Sequence, residues 1–145
     1  MSHRFRAAVE NRDPEAMTAL MAPDISFFSP VAFKPFAGRE AVSELFWNLF
    51  DVFEDFEYTD ELEGEGTHAL IFRASVNGKR LEGLDHLQIG EDGLVHTFTV
   101  MLRPLSALIA MGEAMGPRVG HLAKGEAPAV SRTSAPRSQA PEARR

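Results

Sequence analysis

The spacing of apolar positions changes character several times along the chain. Phe5, Ala8 and Val9 form a short stripe of helical period. Asp13 followed by Pro14 supplies an N-cap and a first-turn proline for a second short helix, which turns Ala16, Met17, Leu20 and Met21 inward. A brief strand is predicted over Ile25 to Phe28, then a loop holding Pro30, Pro35 and Gly38. The strongest helix follows: Val42, Leu45, Phe46, Leu49, Phe50 and Phe53 fall at i, i+3, i+4, i+7, i+8 and i+11, a wide apolar stripe on one face. After it the period becomes two, and three or four strands run to Pro104. That proline opens a last amphipathic helix carrying Leu105, Leu108, Ile109 and Met115.

Turn chemistry fixes the register of the strands. Asn77-Gly78 is the favoured pair for a type I′ hairpin, and placing it at a tip sets Val76 opposite Lys79, Phe72 opposite Gly83 and Leu70 opposite Asp85. Arg73 then meets Glu82 on the other face, an opposite-charge pairing that a one-residue slip would break. A second tip at Asp92-Gly93 sets Ile89 opposite His96, Leu87 opposite Phe98 and Asp85 opposite Val100. Together the hairpins put Leu70, Phe72, Leu81, Leu87, Phe98, Val100 and Leu102 on one face, the surface that the helices must cover.

Asp85 breaks that face. A carboxyl among Leu70, Phe72 and Val100 has its pKa raised by desolvation, so it either stays protonated as a hydrogen-bond donor or serves as a base beside a partner charge. The alternative is purely structural, with Asp85 bonded to a backbone group or ordered water inside a bulge. His68 falls on the same face one diagonal away, within reach of a His–Asp dyad, although a histidine at the open rim of a sheet is the simpler reading. His86 adjoins Asp85 but points to the opposite face, and His96 sits near a strand end. No spacing of His, Asp and Glu resembles a metal site, so no metal and no cofactor is assigned. The acidic run from Asp51 to Glu65 reads as a solvated strand edge that discourages aggregation.

Composition narrows the function classes. At 145 residues, 44% of them hydrophobic, the chain can build one core but not two. No run of 18 apolar residues offers a membrane span and no apolar leader is present, so a soluble cytoplasmic protein is expected. The absence of cysteine excludes disulfides and thiolate chemistry. Lys124, Arg132, Arg137, Arg144 and Arg145 against Glu126 and Glu142 make the C-terminal segment basic by three charges, leaving about −9 of the net −6 on the body. Such a body argues against nucleic acid or a membrane as partner. The division is expected near Gly120, with residues 1–120 folded and 121–145, rich in Ala, Pro, Ser and Arg, too poor in apolar residues to fold.

Helices first, then a long helix laid across a curved antiparallel sheet, resembles the α+β cone of nuclear transport factor 2-like proteins. Four strings carry the resemblance to their SnoaL-like and ketosteroid isomerase-like branch. They are Asn11-Arg12-Asp13, Met21 through Val31 with its Ser29-Pro30-Val31, Phe36-Ala37-Gly38-Arg39-Glu40-Ala41-Val42, and Leu84-Asp85-His86-Leu87. The resemblance implies a protonated, oxyanion-stabilising acid at Asp85. It also implies a general base where this chain has Ser29 and a phenol where it has Phe5. Serine without a partner is a poor base and Phe donates no hydrogen bond.

The expectation is therefore an apolar pocket for a small hydrophobic, polyketide- or steroid-like molecule. Phe5, Phe46 and Phe50 would line it from the helices, Phe28 and Ser29 from the first strand, and Leu70, Phe72, Phe98 and Val100 from the sheet, with Asp85 as its polar contact. Two other readings stay open: an isomerase or cyclase using Asp85, with His68, for proton transfer, and a noncatalytic dimerisation domain whose cavity is filled by its own aromatics. The fold resemblance implies a homodimer through the sheet.

Overall fold

The computed structural model describes residues 2–122. In order these form α1 (Ser2–Glu10), α2 (Pro14–Ala19), β1 (Met21–Phe28), β2 (Phe36–Ala37), α3 (Arg39–Val52), β3 (Glu54–Gly64), β4 (Thr67–Val76), β5 (Lys79–Ile89), β6 (Val95–Arg103), α4 (Leu105–Val119) and a closing 3-10 turn over Gly120–Leu122. Leu122 packs against the core. The rest of the segment expected to be disordered lies outside the described residues. Among the described residues no helix is long and apolar enough to cross a membrane.

Local signals place most of these elements. The Asp13 side chain accepts from the Ala16 amide at 3.1 Å, with Pro14 in the first turn of α2. Gly38, at φ +98°, turns the chain from β2 into α3. Asn77 and Gly78 both have positive φ, as a type I′ turn demands. The β4–β5 register follows from them, with Leu70 opposite Asp85, Phe72 opposite Gly83 and Arg73 opposite Glu82.

The six strands form one curved sheet in the order β2-β1-β6-β5-β4-β3. It is mixed rather than wholly antiparallel, because β1 runs parallel to β6. The connection explains this: α3 carries the chain from β1 to the far edge, and the β3–β6 meander returns beside β1 in the same direction. The second hairpin also differs from expectation at its tip. Ile89 pairs with Val95 rather than His96 through a bulge, and Asp92 Oδ1 accepts from the Leu94 amide to hold a longer loop. Deeper in that ladder Leu87 faces Phe98 and Asp85 faces Val100.

Edge strand β3 carries an irregularity that the alternation of its residues conceals. Tyr58 pairs with Phe72 and Asp60 with Ile71, so Thr59 is an extra residue. The bulge puts Glu61 and Glu63 on the same inner face as Tyr58, and leaves Leu62 half exposed on the other side.

The helices cover the inner face. Phe5, Phe27, Phe46 and Phe98 meet there with ring centroids 5.3–6.4 Å apart. The buried face of α4 is not the one its largest residues suggest. Ala107, Ala110, Met111, Met115 and Val119 pack inward, whereas Leu105 and Ile109 are exposed. Small alanines let the helix approach its neighbours, and the branched residues turn to the mouth of a cavity.

Candidate functional site

A cavity of about 1360 Å³ separates the inner face of the sheet from α3, α4 and the 29–33 loop. It is larger than the ~300–1,000 Å³ usual for small-molecule pockets. Phe46, Leu49 and Phe50 of α3, Met111 and Met115 of α4 and Phe72 of β4 supply much of its apolar wall. The space beside Phe72 depends on Gly83, where any Cβ would collide with the Phe72 ring and with Leu102.

Two buried polar side chains interrupt that wall. Asp85 reaches it from β5 and Tyr58 from β3, and each is 7% exposed. Burial drives the Asp85 carboxyl up to about 8, a shift that the nearby Tyr58 hydroxyl partly opposes. Burial likewise holds the Tyr58 phenol well above its ordinary value, and the charge that Asp85 would carry raises it further. At neutral pH the site therefore holds a protonated carboxyl beside a neutral phenol. The two groups are close enough to bias each other's protons, yet the buried Tyr58 hydroxyl has no protein partner at hydrogen-bonding geometry. An orphaned buried hydroxyl costs ~1–3 kcal/mol unless something in the cavity accepts its proton. Arg6 of α1 stacks over the Tyr58 ring at 5.4 Å and fixes its plane.

Of the residues singled out in the sequence, Phe5, Ser29, Phe46, Phe50, Phe72, Asp85 and Val100 line the cavity. Four do not. Phe28 follows the inward-facing Phe27 on β1 and so lies on the other face of the strand. Leu70 is fully buried in the core, and Phe98 is sealed beneath Phe5, Phe27 and Phe46. His68 does not meet Asp85: it pairs across the ladder with Glu63, one row further along, and its Nδ1 lies 3.4 Å from Glu63 Oε2. The conceivable dyad is not formed: Leu87 stands opposite His68 and Leu70 opposite Asp85, both leucines fully buried.

Ser29 lines the cavity with its hydroxyl already engaged, since Oγ accepts from the Val31 and Ala32 amides at 3.2 and 3.0 Å. That leaves it poorly placed to remove a proton. Three carboxylates, Glu10, Asp55 and Glu113, border the cavity, all at exposed positions. Sequence reasoning missed Tyr58. Its signal was a lone tyrosine in an acidic strand, and the bulge at Thr59 hides which way it faces.

The arrangement offers two neutral O–H donors in an apolar enclosure. Such a pair binds a carbonyl or hydroxyl oxygen and favours negative charge developing on it.

A sequence model of the SnoaL-like domain matches residues 3–97. A solved steroid delta-isomerase from Pseudomonas aeruginosa is 37% identical, with TM-score 0.76, and the match covers 81% of this chain and 87% of that one. An uncharacterized bacterial protein with a cystatin-like fold from Silicibacter pomeroyi DSS-3 is 29% identical, with TM-score 0.77, over 80% and 82% of the two chains. A de novo designed protein with a curved β-sheet shares the fold alone, at 15% identity and TM-score 0.61, over 77% of this chain and 95% of that one. No curated protein matches the chain.

Proposed function

The chain belongs to the SnoaL-like domain family, and from that premise we propose that it binds a small apolar molecule whose carbonyl or hydroxyl oxygen sits between Asp85 and Tyr58. The observation that carries this reading is the orphaned Tyr58 hydroxyl beside a carboxyl held protonated, both on the wall of a large apolar cavity. A polycyclic ligand of the steroid or aromatic polyketide class suits that wall in size and polarity.

Native mass spectrometry of the protein purified from its own host tests this. A retained small molecule is expected in the wild type, lost or weakened at least tenfold in Tyr58→Phe and Asp85→Leu. Wild-type protein that carries nothing, and binds cyclic ketones or phenols no better than both variants do, contradicts it.

A second reading, proton transfer on the bound molecule, is favoured by the 37% identity to a structure described as a steroid delta-isomerase. Against it stands the base. The resemblance places the family's proton-abstracting acid where this chain has Ser29, whose oxygen accepts from two backbone amides. No turnover of a 5-ene-3-ketosteroid is expected. Turnover that disappears in Asp85→Asn would replace binding by isomerisation as the function.

A homodimer through the outer face of the sheet accompanies the proposal, where Met101 is 61% exposed. Sedimentation of the wild type and of Met101→Glu measures it, with dissociation expected in the variant.

A further inference from the structure

The β3–β4 hairpin gathers three metal-ligating side chains outside the cavity wall. Glu63 stands directly opposite His68, and the bulge at Thr59 brings Glu61 onto the same inner face two residues away. One ligand atom from each of Glu61, Glu63 and His68 lies within 4.8 Å of the others. Sequence spacing, which assigned no metal, does not bring these three residues together. The three residues are neighbours across strands rather than along one helix or loop, and their common face depends on that bulge.

We propose that Glu61, Glu63 and His68 bind a first-row divalent cation such as zinc. Three observations support it. His68 Nδ1 is buried and makes no hydrogen bond within the protein, although its side chain is only 12% exposed. It lies 3.4 Å from Glu63 Oε2. Two donors bound at ~2.0–2.1 Å to one tetrahedral zinc stand ~3.3–3.4 Å apart, so this pair already has the spacing of adjacent ligands. Arg6 meets Glu61 through Oε1 at 3.3 Å, and one carboxylate oxygen of Glu61 lies within 4.8 Å of the ligand atoms of the pair.

One imidazole nitrogen with two carboxylates selects zinc, cobalt or manganese over calcium, which prefers a cage of oxygens. Three protein ligands leave a position for water or an exogenous group. The site is separate from the apolar cavity, since none of its three residues lines it. Its metal binding is independent of whether that cavity takes a ligand.

The test is titration of untagged full-length protein with cobalt chloride alone, followed by visible absorption and native mass spectrometry, then displacement by zinc chloride. One cobalt per chain is expected, with the absorption of low-symmetry coordination, bleached by zinc. Affinity should fall at least tenfold in His68→Gln and in Glu63→Gln, each confirmed folded by circular dichroism, and stay unchanged in His96→Gln. The last variant removes the other histidine beside two carboxylates, Asp24 and Asp92. No absorption change at millimolar cobalt, or binding that survives both hairpin variants, would overturn the proposal.

Discussion

On one inner face of one sheet, two neighbouring regions reach opposite states. Where α1 and α3 meet β1 and β6, Phe5, Phe27, Phe46 and Phe98 close on one another in ring contact, and Phe98 is 1% exposed. Around Asp85 on β5 and Tyr58 on β3 the same surface fronts open volume and carries the two buried polar groups of the cavity wall. Both regions are rich in aromatic residues, so composition does not distinguish them. The difference lies in what faces the sheet. Phe46 of α3 closes the first region against Phe5, Phe27 and Phe98, whereas Met111, Gly112 and Met115 of α4 border the open volume of the second. A domain whose cavity is filled by its own aromatics describes only the first.

Truncating a ring in each region is the harshest way to break this comparison. Phe98→Ala should cost about 3–5 kcal/mol in urea unfolding, because the closed cluster cannot collapse into the gap. Phe50→Ala, on the cavity wall, should cost only roughly 1–2 kcal/mol, since that ring is only partly buried and lines the cavity. Equal losses would mean that the second region is packed as tightly as the first.

The acid sharpens the contrast through pH. Below about pH 4 the folded and unfolded chains both hold the Asp85 proton. Between there and about 8 only the folded chain does, so wild-type stability falls with rising pH, and the loss is complete above the folded value. Asp85→Asn removes this dependence. Its stability relative to wild type should therefore climb by ~1.4 kcal/mol per unit between pH 5 and 8 and then level off, as read from urea midpoints across that range. Parallel curves for the two proteins would show that Asp85 is not desolvated.

A smaller effect is expected at Gly83, which makes room for Phe72. Gly83→Ala should destabilise by about 1–3 kcal/mol through overpacking and push the ring toward the cavity, lowering its capacity for an apolar fluorescent probe. Unchanged probe binding would place the Phe72 ring outside the usable volume. The smallest effect belongs to the mouth: Ile109→Ser, at a position 53% exposed, should change stability by no more than ~0.5 kcal/mol.

The parts of this account legible in the sequence are those where turn chemistry fixed the geometry. Asn77-Gly78 has one comfortable hairpin conformation, so the pairing of Leu70 with Asp85 follows from two residues at the tip. The helical stripe from Val42 to Phe53 was equally plain, because its large residues all needed one face. What escaped depended on irregularity or on contacts distant in sequence. Nothing in the composition of β3 marks Thr59 as a bulge, and without it Tyr58 and Glu61 fall on opposite faces. The inward face of α4 was misread because hydrophobic size suggests Leu105 and Ile109, while close helix packing favours Ala107 and Ala110. The parallel pairing of β1 with β6 joins strands at opposite ends of the chain, beyond any local signal.

The central claim is that the second region holds a neutral carboxylic acid at physiological pH. Carbon-detected NMR titration of the Asp85 carboxyl in the full-length protein, assigned by its loss in Asp85→Asn, measures that state directly. An apparent pKa near 8 is the predicted result. A value near 4 would contradict it, leaving Asp85 an ordinary solvated carboxylate and the cavity without its proton donor.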